Sequence, residues 1–276
     1  MHSTLPLNHQ VSQMLGDDPR DFPQVLHRPG SPTLAFRQIK AGQAGQDKPG
    51  LVWLGGFKSD MQSTKALRIA DWAKAKGRAF TRFDYSGHGE SQGDFAQGTI
   101  SDWFNDALAI LQHCTQGPQI LIGSSMGGWI ALLIARHFAK INQSDRLAGL
   151  VLIAPAVDFT QALLLPRLPE SAHHDLATMG QWLLPSAYSH EPTPITRALI
   201  EDGAQNLLFG APIRTYCPVH ILQGMLDTDV PHEHALKLVE HLPSDPATLT
   251  LIKDGDHRLS RDQDIMQLLQ AIDQFV

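Results

Sequence analysis

The chain has 276 residues, 42% apolar and 18% charged, with a net charge of −6, two cysteines and fourteen histidines. That is enough apolar material for one large α/β domain with an insertion, or for two modest domains, while the acidic balance and the lack of any Lys/Arg cluster argue against a general nucleic-acid binder. Cys114 and Cys217 form no CxxC pair and read as buried reduced thiols, and no stretch approaches the roughly 20 apolar residues of a membrane span.

Residues 1–20 hold one Arg, two Asp and no apolar run, which matches neither a secretory nor a mitochondrial leader, so the expectation is a soluble cytoplasmic protein. The first thirty residues are polar and rich in turn formers, which predicts a loosely structured leading arm. "TLAFRQIKAG" alternates apolar and polar positions as an antiparallel edge strand does. A loop, "AGQAGQDKPG", follows.

From there the chain repeats one pattern: a short apolar strand, a glycine-bearing loop, an amphipathic helix. Strands are predicted at 51–54, 79–85, 119–123, 147–154, 218–224 and 247–252, and helices at 61–77, 99–114, 126–139, 232–241 and 261–275. Apolar strands alternating with helices predict an α/β fold with a mostly parallel sheet covered on both faces. Residues 155–216 break the rhythm. They show no clear strand but several helical pieces ("DFTQALLLPRL", "HHDLATMGQWLL", "ITRALIEDGAQ"), and read as a helical cap over the sheet's carboxyl edge within a single domain spanning 1–276.

The predicted strand "QILIG" hands over to the helix "WIALLIARHFA" through "GSSMGG". G-x-S-x-G fits there in one frame only, Gly123 to Gly127, which makes Ser125 and not Ser124 the central residue. In such a strand-to-helix turn the serine sits in strained backbone with its hydroxyl above the sheet, and glycines stand where side chains would collide. The helix from Met126 points its positive end at the same place.

A serine needs a base oriented by an acid, and this topology orders them Ser, Asp or Glu, then His. After "PVHILQG" come Asp227 and Asp229. Asp227 is reached first and is the expected acid, with Asp229 as fallback or as a cap for the helix after Pro231. After "ATLTLI" comes His257, the expected base. Charge on an attacked carbonyl needs two N–H donors. These are expected from Met126 and from Phe57 in "GGFKSD", where Gly55 and Gly56 let the backbone approach.

These stretches together resemble a serine α/β-hydrolase, and within that superfamily the mitochondrial acyl-protein thioesterase group, whose members also act as acyl-glucuronide esterases. The resemblance is carried by "GFKSDM" (56–61), "FDYSGHGES" (83–91), "GPQILIGSSMGGW" (117–129), "GMLDTDVP" (224–231) and "DHRLS" (256–260). It implies Ser125, Asp227 and His257 as triad, Phe57 and Met126 as oxyanion donors, and deacylation of S-acyl cysteine or related esters. Gly55 departs from the wider superfamily, where many members carry His, but leaves the backbone donor intact.

The expected activity is therefore cleavage of an ester or thioester, in a small molecule or an acylated protein, through an acyl-serine, with no cofactor or metal. Ser125 argues against dehalogenase and epoxide hydrolase chemistry, which place a carboxylate at the elbow. A peptidase, a carbon–carbon bond hydrolase, an acyltransferase or a perhydrolase shares the triad, and a non-catalytic ligand-binding homologue is the rival outside enzymes. The cap leucines (Leu163, Leu164, Leu165, Leu168, Leu183, Leu184) either line an acyl pocket or simply pack the cap onto the sheet. "HHD" (173–175) and "HEH" (232–234) read as solvated surface, because neighbouring or i,i+2 helical residues diverge. His88 is placed near the mouth of the site, within reach of substrate. Oligomeric state is not legible.

Overall fold

The computed structural model describes residues 24–185 and 192–275, so the part of the expected leading arm at 1–23 lies outside the described residues. The arm's last residues are not loose. Gln24–Arg28 forms β1, antiparallel to β2 (Ser31–Ile39), so β2 is one strand in from the edge. The core strands are β3 (Gly50–Leu54), β4 (Phe80–Phe83), β5 (Gln119–Ser124) and β6 (Leu147–Ile153), with β9 (Val219–Gly224) and β10 (Ala247–Ile252) after the insertion. The eight strands run in the order β1-β2-β4-β3-β5-β6-β9-β10, and every pair from β4 to β10 is parallel.

β3, β5 and β9 are buried along their whole length, which explains why they read as unbroken apolar runs. Side chains alternate between faces. Val52, Leu54, Leu121, Leu150 and Ile221 meet the helices α2 (Ile100–Cys114), α3 (Met126–Lys140) and α6 (His232–Glu240). Leu51, Trp53, Ile120, Ile122 and Val151 meet α1 (Thr64–Lys76) and α7 (Asp262–Asp273) on the other face. The α2 start is set by a reciprocal cap in which Thr99 Oγ1 accepts from the Asp102 amide and Asp102 accepts from the Thr99 amide.

α1 begins three residues later than the apolar pattern predicts. The buried carboxylate of Asp84 accepts the Met61 amide at 2.6 Å, which holds residues 56–63 as a loop over the ends of the strands.

The insertion departs further from the prediction. Its first piece is a π-helical turn over Thr160–Leu164 followed by a 3-10 turn at Leu165–Arg167, because Pro166 cannot continue a helix. α4 (Glu170–Thr178) and α5 (Arg197–Gln205) are helical as expected, but β7 (Gln181–Leu184) and β8 (Thr193–Thr196) pair as an antiparallel ribbon where no strand was predicted. Four-residue strands, one of them holding Pro194, leave too little alternation to read. Asp158, with a left-handed backbone (φ 55), accepts the amides of Leu208 at 2.9 Å and Phe209 at 2.9 Å, so one buried carboxylate ties the start of the insertion to its return.

Candidate active site

The carboxyl ends of β3, β5, β9 and β10 converge, and each contributes one part of the site. From β5 the chain turns into α3 at Ser125, whose φ of 55° and ψ of −117° lie in a region that a non-glycine residue occupies only under constraint. The constraint is visible: the Ser125 amide donates to Ile153 O at 2.8 Å, and its carbonyl accepts from the amides of Gly128 (2.9 Å) and Ala156 (3.1 Å). The glycines have separate reasons. A Cβ on Gly123 would stand 2.6 Å from the Gly127 carbonyl carbon, one on Gly127 2.6 Å from Gly55 O, and one on Gly128 2.8 Å from Pro155 Cβ.

Ser125 Oγ lies 3.1 Å from His257 Nε2, and His257 Nδ1 lies 2.8 Å from Asp227 Oδ2. Asp227 has a fully buried side chain, while the His257 side chain is about one-fifth exposed. Asp227 Oδ2 also accepts from Gln223 Nε2 at 3.1 Å, and Oδ1 accepts the amides of Asp229 (2.9 Å) and Val230 (2.8 Å). With the carboxylate accepting throughout, the imidazole carries its proton on Nδ1, and Nε2 is left to accept from the serine hydroxyl.

The serine chosen from the motif and the acid reached first thus come together with His257. Asp229 is exposed, lines the same cavity, and gives no side-chain cap to α6, whose N-cap is Pro231. Asp227, Asp229 and His257 have ligand atoms within 4.8 Å of one another, but Asp227 Oδ2 and His257 Nδ1 are already hydrogen-bonded to each other.

Gly56 lies against Ser125, where an added Cβ would be 3.4 Å from the serine Cβ. Phe57 and Met126 line one cavity with Ser125 and His257. As the first residue of α3, Met126 has an amide without an intrahelical acceptor. The cavity has a volume of about 1030 Å³, at the upper end of the roughly 300–1,000 Å³ usual for small-molecule sites. Its apolar wall comes largely from the insertion: Phe159, Leu163, Leu164, Leu168, Trp182, Leu184 and Ile195. Of the six cap leucines singled out in the sequence, Leu165 and Leu183 do not line it, and Leu183 is half-exposed.

Two histidines differ from the sequence reading. His88 does not face substrate: it is 4% exposed, enclosed by Tyr85, Phe95 and Trp103, and its Nε2 accepts the Lys58 amide at 3.2 Å. His173 and His174 are solvated, but His234 is buried, with Nε2 donating to Val157 O at 2.9 Å and its ring against Phe209. Burial pushes both His88 and His234 down to about 4, and pushes Asp84 up to about 6.

For His234 the folded value lies below the unfolded one, so its contribution to stability is complete above pH 6.5 and is lost as pH falls towards 4. His234→Gln keeps a donor for Val157 O and cannot charge. The stability gap between wild type and this variant should shift by up to about 3 kcal/mol in the variant's favour between pH 7 and pH 4. Urea melts across that range measure it, and a pH-independent gap would contradict the assignment.

Sequence reasoning missed several supporting groups. Gln223 is fully buried and donates to Asp227 Oδ2, Val230 O and Gly224 O, and Lys65, lining the cavity from α1, donates to Arg258 O beside His257. Arg167 Nη1 of the insertion donates to the carbonyls of Thr228 and Asp229, linking it to the Asp227 loop. For Gln223 the available signal was a polar residue inside an otherwise apolar strand, "PVHILQG", which also holds His220.

Residues 50–207 match the family described as Hydrolase_4, serine aminopeptidase, S33. The chain is 35% identical over 254 residues to palmitoyl-protein thioesterase ABHD10, mitochondrial, of Mus musculus, covering 91% of this chain and 81% of that protein. Among solved structures, a putative hydrolase from Agrobacterium vitis S4 superposes with a TM-score of 0.87 at 47% identity, covering 93% of this chain and 98% of the other. Alpha/beta hydrolase domain-containing protein 10 from mouse superposes with a TM-score of 0.80 at 34% identity, covering 92% and 97%.

These findings correct the cytoplasmic expectation. The thioesterase relatives from mouse, Rattus norvegicus, Bos taurus, Pongo abelii and Homo sapiens all carry the word mitochondrial in their names. Compartment is set by signals that sorting machinery reads, not by folding physics, so composition was a poor guide to it. No helix among the described residues is long and apolar enough to cross a membrane.

Proposed function

The chain belongs to the serine aminopeptidase S33 family of α/β-hydrolases, and from that premise we propose that it hydrolyses long-chain thioesters and esters through an acyl-Ser125 intermediate. The observation that carries the reading is the hydrogen-bonded line from Ser125 Oγ through His257 to buried Asp227, opening on an apolar cavity of about 1030 Å³.

In the first step His257 Nε2 takes the Ser125 proton as Oγ attacks the acyl carbonyl. The amides of Phe57 and Met126 receive the negative charge on the carbonyl oxygen. Asp227 holds the imidazolium, which then donates its proton to the leaving thiol or alcohol. In the second step water, deprotonated by His257, attacks the acyl-serine, and collapse of the second tetrahedral intermediate frees the acid and restores the Ser125 hydroxyl. Residues 155–216 act as a cap within a single domain, and their apolar wall takes the acyl chain. The palmitoyl-protein thioesterase relatives support the long-chain thioester within the ester class.

The test is turnover of S-acyl and p-nitrophenyl esters from C2 to C16. kcat/KM should rise by about 10-fold or more from short to long chains as buried methylenes accumulate, with thioesters cleaved at least as well as oxygen esters. A maximum at C2 with no thioester cleavage, or selective turnover of amino-terminal peptide anilides, would refute the long-chain thioester reading.

A further inference from the structure

The loop that carries Phe57 is a tight turn in an unusual form. The Ser59 amide donates to Gly56 O at 3.1 Å, closing a four-residue turn over Gly56–Ser59, and Lys58 at its third position has φ 57° while Phe57 before it is not left-handed. That is the pattern of a type II turn, which places glycine at the third position because an L side chain is strained there. In the alternative type I turn the peptide between Phe57 and Lys58 is flipped, and its N–H points the other way.

His88 meets that peptide. Its Nε2 accepts the Lys58 amide at 3.2 Å, and its Nδ1 lies 3.2 Å from Ser86 O, so the ring is the neutral tautomer that donates from Nδ1 and accepts at Nε2. The ring is fixed by Phe95 at 5.0 Å and Trp103 at 5.2 Å, and Phe57 packs on the same two rings at 4.9 and 5.7 Å. Trp103 Nε1 also donates to Ser86 O at 3.1 Å.

We propose that His88 is a positioning residue for the oxyanion site: by accepting the Lys58 amide it holds the 57–58 peptide in the type II orientation and anchors the turn at Phe57, whose own N–H, in the neighbouring 56–57 peptide, is thereby kept in place toward Ser125. It acts through Lys58 and touches no reacting atom. Burial that keeps the ring neutral to about pH 4 keeps the acceptor available throughout the neutral range. The inference rests on the proposed role of the Phe57 amide.

His88→Ala should lower kcat by about 100-fold, the scale of one lost oxyanion donor, with KM within twofold. Affinity for a trifluoromethyl ketone, which mimics the oxyanion, should fall in parallel, while affinity for the product acid stays. His88→Gln, whose Oε1 can take the Lys58 amide, should recover most of kcat. Because glycine suits the third turn position, Lys58→Gly should make the turn independent of residue 88, so His88→Ala costs far less in the Lys58→Gly background than in wild type. A loss confined to KM or folded fraction, or an equal loss in both backgrounds, would overturn the positioning role. Ser125→Ala separates the two levels: if it hydrolyses like wild type, the underlying reading fails, whereas a dead Ser125→Ala beside a fully active His88→Ala sinks only this inference.

Discussion

Ser125→Ala is expected to lower kcat/KM for ester and thioester substrates by at least about 10,000-fold, and Ser124→Ala to leave it within a few-fold. Both serines border the same cavity, but their backbones aim them differently. Ser124 ends β5 in the sheet, paired in register with Ile153, whereas the positive φ of Ser125 swings its Oγ to 3.1 Å from His257 Nε2. A fluorophosphonate, which bonds covalently to an activated serine, should label wild type and Ser124→Ala but not Ser125→Ala. The line's other members make the result sharper. Asp227→Asn should cost roughly 1,000- to 10,000-fold, because an amide in place of the Oδ2 acceptor favours the wrong imidazole tautomer, and the double variant should lose little more than Ser125→Ala alone. Equal labelling of both serine variants would refute the assignment.

Gly127→Ala should destabilise the fold by about 3–5 kcal/mol, lowering Tm by roughly 10 °C, the second large effect expected here. The added Cβ would fall far inside the van der Waals contact distance of Leu54 O and 2.6 Å from Gly55 O. Both are backbone atoms at the end of β3, so neither can rotate aside as a side chain would. Relief requires moving α3 off the strand, and the carbonyls it pushes lead directly into Gly56 and Phe57. Any variant that still folds should therefore also lose kcat. Gly210→Ala is the control, since nothing lies within 4 Å of its Cβ position and its φ is not left-handed. Thermal melts of the two variants decide the point: a Gly127→Ala melting within 2 °C of wild type would show that the helix is free to slide.

Much of the fold was legible because its signals are local. Unbroken apolar runs mark strands buried on both faces, and each predicted core strand is found within a few residues of its expected limits. The elbow was legible for a related reason: glycine at 123 is demanded by Gly127 and Gly128 of the same strand–turn–helix, and glycine at 127 by the end of β3 packed beside it. The insertion was harder. β7 and β8 hold each other across a connection, with Trp182 opposite Ile195, and neither four-residue piece carries enough pattern to declare itself.

The sequence by itself determined the order of strands and helices, the serine at the elbow, and the presence of an acid and a base after the right strands. Periodicity and close backbone approach are short-range consequences of the chain. The sequence ranked Asp227 ahead of Asp229, but only the tertiary structure shows what holds it there: the amides of Asp229 and Val230 fold back on Oδ1 and Gln223 holds Oδ2. The tertiary structure alone decided that His88 faces Lys58 and an aromatic box instead of substrate, and that His234 is buried under Val157. Hydrogen bonds form or fail over a few tenths of an ångström between residues 30 to 77 positions apart. Such directions are set by the packing of whole layers, and no local pattern encodes them.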